Sequence, residues 1–144
     1  MTVATKAPTQ SEEVLELARR SGGMVTPDQV VEFARDPETA LHKAFEWDDT
    51  EAARQYRIEQ ARGVIRRVLV SVEDRPAHRA LVSVSIERAG DGASPYRLVN
   101  DVMRDDTLRQ AMLDDAIREL KAAKTKYGHL AQLAKVWNAV EEVT

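Results

Sequence analysis

The sequence predicts an α+β fold built from three helices, an antiparallel β-hairpin and C-terminal amphipathic helices. Apolar residues recur at three- and four-residue spacing up to about residue 67 and again after residue 105, the period of a helix with one buried face. Between them Val68, Val70 and Val72 alternate with a period of two, as do Ala80, Val82, Val84 and Ile86. The 144 residues, 43% hydrophobic and 31% charged, suffice for one core and are too apolar for a wholly disordered chain.

Each element has its own signal. A first helix is expected from Ser11 to Arg20, burying Val14, Leu15, Leu17 and Ala18, and Ser21-Gly22-Gly23 stops it. Thr26 caps a second helix, with Pro27 at its first position and Gln29 completing a capping box; Val30, Val31, Phe33 and Ala34 form its apolar face before Asp36-Pro37 ends it. A loop carries Leu41, His42, Phe45 and Trp47. Asp48 and Asp49 are expected to cap a third helix, Thr50 to about Val68, with Glu51 three residues after Asp48. The hairpin turns at Asp74-Arg75-Pro76, and Gly90 to Pro95 is a loop by composition. Tyr96 to Met103 reads either as a short helix or as an irregular bridge. Asp105 or Asp106 caps a long helix bearing Leu108, Met112, Leu113, Ile117 and Leu120. After a break near Gly128, Leu130, Leu133, Trp137 and Val140 continue the spacing, as a helical hairpin or one kinked helix. Residues 1–10 are expected to form a flexible tail and 11–144 a single domain, in which 105–144 are a helical arm appended to 11–104.

The net charge of −3 conceals a segregation. Residues 11–53 hold 11 acidic and 4 basic side chains, whereas residues 54–104 hold 10 basic and 6 acidic. A protein that holds nucleic acid by charge alone is usually basic throughout, so contact with such a polymer must be local to the middle segment. Neutralisation of one half by the other inside the fold is the structural alternative. No apolar run approaches the roughly 18 residues of a membrane span, and the N-terminus lacks the apolar core of a signal peptide. Without cysteine there is neither a disulfide nor a thiolate ligand. The expected setting is the cytoplasm, with no membrane association.

Enzymatic constellations are missing from the pattern. The glycines at 22, 23, 90 and 92 do not have phosphate-loop spacing, and His42, His78 and His129 have no helical i, i+4 partner. Asp48-Asp49 and Asp105-Asp106 precede helix starts, where capping explains paired carboxylates better than metal binding or acid–base work. Asp114-Asp115 falls mid-helix and Ser83 and Ser85 alternate on a strand with no histidine nearby. No catalytic residue, metal or cofactor is expected.

The third helix carries five arginines against two glutamates. Three helices followed by a hairpin is the order of a winged helix-turn-helix unit, whose last helix enters the major groove. On that reading Arg62 and Arg66, one turn apart, contact DNA with Gln55 beside them, while Arg75 and Arg79 reach the backbone from the hairpin turn. Helical phase tempers this reading. With Arg54 at 0°, Ile65 falls near 20°, Ile58 near 40°, Ala61 near 340°, and Arg62 and Arg66 at about 80–120°. Arg54 and Arg57 therefore flank the apolar face, where Arg57 can pair with Asp48, Asp49 or an acidic residue of the first two helices. Phe45 and Trp47 are expected in the core rather than as a stacking platform for bases.

Thr26-Pro-Asp-Gln-Val-Val-Glu-Phe-Ala-Arg-Asp-Pro37, Leu41-His42, Phe45-Glu-Trp-Asp-Asp49, Ala52-Ala-Arg-Gln-Tyr-Arg57 and Gln60-Ala-Arg-Gly-Val-Ile65 together resemble an uncharacterised family of phage and prophage proteins. The resemblance continues through Arg79 to Ser83, Tyr96-Arg97, Asp101-Val102 and the segment from Leu120 to Leu133. It implies a phage or prophage origin and carries no residue role. Two functions follow as expectations. One is a phage-encoded DNA-binding accessory or regulatory protein acting through Gln55, Arg62, Arg66, Arg75 and Arg79. The other is a structural or interaction protein, a small packaging subunit included. Its C-terminal helices would bind a host or phage protein or a second copy through Leu113, Ile117, Leu120, Tyr127, Leu130 and Trp137.

Overall fold

The computed structural model describes residues 7–47, 50–71 and 73–143. It is an α+β protein, and contacts divide it into two units. One comprises the described residues up to Ser83 together with Glu87–Asp101; the other comprises Val84–Ile86 and the described residues from Val102. In this division the short segment Val84–Ile86 groups with the C-terminal helices.

In the first unit, α1 (Gln10–Arg20) begins one residue before its expected start. Thr9 caps it and makes a full capping box with Glu12, so Gln10, expected in the tail, is the first residue of the helix; residues 1–6 lie outside the described residues. The helix ends in a Schellman-type turn in which the Gly23 N–H donates to the Ala18 carbonyl at 2.8 Å. Gly22 and Gly23 have φ of +76° and +89°, and a Cβ on Gly23 would overlap the Asp101 carboxylate, so glycine is required there. A two-residue strand, β1 (Met24–Val25), follows. Then α2 (Pro27–Ala34) starts with the expected Thr26–Gln29 box.

The connection from α2 to α3 (Glu51–Arg66) is long and contains a 3-10 turn, Leu41–Ala44, instead of the tight turn of a helix-turn-helix. The cap of α3 is Thr50, whose hydroxyl accepts the Ala53 N–H at 3.1 Å. The expected caps, Asp48 and Asp49, lie outside the described residues. Helix α3 packs along α2 and buries Ile58, Ala61, Val64 and Ile65 in a core completed by Val14, Val25, Val30, Leu41 and Leu81.

The hairpin is shorter than its alternating pattern. Among the described residues of the hairpin, β2 (Leu69–Val70) and β3 (His78–Arg79) pair, antiparallel, with Leu69 opposite Arg79. Val72 lies outside the described residues. The second arm then changes partner: β4 (Leu81–Val82) pairs with β5 (Tyr96–Leu98), which also pairs with β1, giving a three-stranded antiparallel sheet of order β1-β5-β4. Tyr96 to Leu98 is therefore the central strand of that sheet, neither helix nor bridge, and α4 (Val99–Arg104) follows it directly. Expected strand residues 84–86 leave the ladder because the Ser85 N–H donates to the Asp115 carboxylate at 2.9 Å, and Ser85–Glu87 turns as a 3-10 segment.

In the second unit α5 (Asp106–Tyr127) is capped by Asp105, which accepts the Leu108 N–H at 3.0 Å. The chain doubles back through the Ala131–Leu133 turn into α6 (Ala134–Glu142), and Lys124 of α5 bonds Glu141 of α6, so the two form a helical hairpin. No helix of the described residues is long and apolar enough to cross a membrane.

Candidate nucleic-acid interface

The Arg-rich helix shows how its arginines are used. Arg57 is buried. Its guanidinium donates to the Glu46 carbonyl at 3.1 Å and lies 5.6 Å from the centre of the Trp47 ring, which Arg35 also approaches at 5.6 Å. His42 stacks on that indole at 4.9 Å with an interplanar angle of 10°, and the indole N–H donates to the His42 carbonyl at 3.0 Å. Phe45 is a core residue and Trp47 packs on the core, so the Phe-Glu-Trp block holds the α2–α3 connection down. Asp48 and Asp49, the other candidate partners of Arg57, lie outside the described residues.

Most other arginines of the first unit are partnered within reach of one helical turn. Arg19 and Arg20 meet Glu16, Arg35 meets Glu32, Arg54 meets Glu51 and Arg62 meets Glu59. Beyond the helices, Arg97 forms a fork–fork pair with Glu87, two bonds of 2.7 Å. Two of the residues expected at DNA are thus engaged locally. Arg62 is ion-paired and its side chain is only 23% exposed, while the Gln55 amide donates to Glu51 at 3.3 Å.

The remaining three expected contacts behave differently. Arg66, Arg75 and Arg79 are exposed and form no ion pair among the described residues. Arg67, the residue that follows α3, joins them. Each has a structural setting. Arg66 ends α3 and Arg67 is its C-terminal cap residue, both well placed to face the negative end of the helix dipole. The Ala80 N–H donates to the Val68 carbonyl at 2.9 Å, fastening the hairpin to that helix end, and Arg79 stands opposite the exposed Leu69. Arg75 lies in the turn, beside Glu73 (φ +52°) and Asp74, two exposed acids that offset part of the charge. A signal for Arg67 was present in the sequence: the residues three and four before Arg66 and Arg67 are Arg62, Gly63 and Val64, none acidic, whereas Arg20, Arg54 and Arg62 each have a glutamate there.

The helical arm divides its expected partner face. Leu113, Leu120, Tyr127 and Leu130 are 38–51% exposed. Ile117 is half-buried and Trp137 is buried, which removes Trp137 from any docking surface. Of the 22 residues in α5 only Ala111 and Asp115 are buried. Glu141 titrates below the usual glutamate range because Lys124 bonds it and adds its charge.

Among the described residues no group of three or more histidines, aspartates or glutamates converges as a metal site. His42 belongs to the Trp47 stack, with its Nδ1 2.8 Å from the Ala34 carbonyl, and His78 and His129 are exposed. Comparisons of the chain with known protein families, with curated proteins and with solved structures give no match.

Proposed function

We propose that this chain is a phage-encoded, non-catalytic protein of the host cytoplasm that contacts duplex DNA through Arg66, Arg67, Arg75 and Arg79. The observation that carries the reading is selective pairing. In the first unit the other arginines are matched to a carboxylate or a carbonyl, whereas these four, clustered in sequence at the end of α3 and in the hairpin, are exposed without an ion pair among the described residues. Guanidinium groups in that condition suit phosphate oxygens, which they bind by charge and by two-pronged hydrogen bonds. Glu73 and Asp74 in the same turn favour an accessory or regulatory role over tight non-specific coating. Binding to duplex DNA across a salt series tests the idea. Four phosphate contacts give a log–log slope of about −3 to −4; failure to bind at low salt removes the proposal.

A second reading is favoured by a separate observation, the exposed leucines of α5. They support a structural or interaction role, in packaging or against a host or virion protein, that is compatible with DNA contact elsewhere on the chain.

A further inference from the structure

We infer that Leu69 is a wedge which, resting on the DNA contact proposed above, enters the minor groove at a weakened base step, so that the protein selects kinked or mismatched duplex over straight duplex. An isolated exposed leucine is ordinary on a protein surface and needs no explanation. This one differs in what surrounds it. Val68 and Ala80 are buried and Val70 packs on the core, so the alternation of the strand turns Leu69 outward, 57% exposed. Arg79 is its partner directly across the hairpin and shares that face. Arg66 and Arg67 stand just before it at the end of α3, and Arg75 lies in the turn beyond. Ser71 and Ala77, nearer the turn, are exposed but small. The hairpin therefore presents one large apolar side chain amid four exposed arginines that form no ion pair among the described residues.

Charge makes the occupant a polyanion, and the size of the apolar group decides which one. Phosphates line both walls of a DNA groove, and arginine suits the strongly negative potential of a narrow minor groove. An apolar side chain inserted between base pairs there partly unstacks the step and bends the duplex towards the major groove. A bilayer requires more. A whole myristoyl chain holds a protein to lipid only marginally, and one leucine is a fraction of that chain. Burying the exposed part of Leu69 is worth roughly tenfold in affinity. Unstacking an intact, stiff step costs more than that, whereas a mismatched pair or a flexible TA step costs least. Leu69 thus discriminates by deformability rather than by base identity, which arginines on phosphates alone cannot do.

The test titrates the full chain into two duplexes of the same sequence, one intact and one with a central single-base mismatch, each carrying a dye at both ends for energy transfer. The wild type should bind the mismatched duplex about tenfold tighter and raise the end-to-end transfer as the DNA bends. Leu69→Ala, at an exposed position, should bring the two affinities within roughly twofold and abolish the rise, with far-ultraviolet dichroism unchanged. Leu69→Met should keep both effects, since methionine serves equally as a wedge. A wild type that binds both duplexes equally, with the salt dependence of four phosphate contacts, overturns the wedge and leaves the proposed function standing. So does a preference that survives Leu69→Ala. Binding to neither duplex overturns both, and Leu69-dependent capture by phosphatidylglycerol vesicles would then give the hairpin tip to a lipid surface.

Discussion

The Glu13 carboxylate, buried in α1, accepts the backbone N–H groups of Ala40 at 3.0 Å and Leu41 at 2.8 Å. One acidic side chain thereby starts the 3-10 turn that carries the fully buried Leu41, 28 residues along the chain. The same turn feeds His42 and Phe45 into the Trp47 cluster. Replacing Glu13 with alanine strands two N–H donors in the interior and should cost about 3–6 kcal/mol, since charge-assisted bonds are worth about 1.5–3 kcal/mol each. Glu13→Gln keeps one carbonyl acceptor and should cost about half as much. Urea denaturation of the two variants provides the check; equal stability of Glu13→Ala and wild type would rule out the anchoring role.

Asp115 does the corresponding task in the second unit. Burial raises its pKa, but bonds from the Ser85 hydroxyl and N–H and from Arg118 outweigh burial and hold it below the usual aspartate value. A carboxyl depressed on folding contributes stability at pH values above its unfolded pKa and loses it as the pH falls through the folded one. Segment 84–86 should therefore loosen in acid, below about pH 4. Hydrogen exchange at the Ser85 amide should accelerate there relative to the amides of α3. In Asp115→Asn the acid-dependent step should vanish, with exchange already faster at neutral pH.

Gly63 sits inside α3, which runs unbroken through it. An added Cβ would meet only the Arg67 guanidinium, at 3.4 Å, the far end of a flexible side chain. Gly63→Ala should therefore stabilise the protein by up to about 1 kcal/mol, raising the melting temperature by roughly 2–4 °C. A lower melting temperature would mean that the glycine serves a close approach not visible around Cβ.

Local signals carried much of the fold into view from sequence. The Thr26-Pro27-Gln29 start of α2, the Gly22-Gly23 stop of α1 and the Asp105 cap of α5 are written in adjacent residues, and each forms as read. What escaped depends on partners far along the chain. Val82 and Val84 alternate like one strand, yet β4 ends at Val82 because Asp115, 30 residues away, captures Ser85. Likewise β1 and β5 are two and three residues long, too short for any period, and exist because they pair with each other. The candidate site was legible in composition but not in detail. Arg62 and Gln55 share the basic helix with Arg66, and only the carboxylates at i−3 and i−4 separate engaged side chains from exposed ones.

That separation yields a prediction particular to each arginine. A cation already matched to a carboxylate releases few counterions when DNA binds, whereas an unmatched one releases about one. Alanine at Arg66, Arg67, Arg75 or Arg79 should each lower the salt slope of duplex binding by about one and weaken binding alike across DNA sequences. Arg62→Ala should leave the slope nearly unchanged, because Glu59 already holds that guanidinium, and Gln55→Ala should do the same because it carries no charge. If Arg62→Ala flattens the slope as much as Arg79→Ala does, the ion pair opens on binding and the interface extends up α3. If none of the four exposed arginines alters it, DNA is held elsewhere and their exposure has another cause.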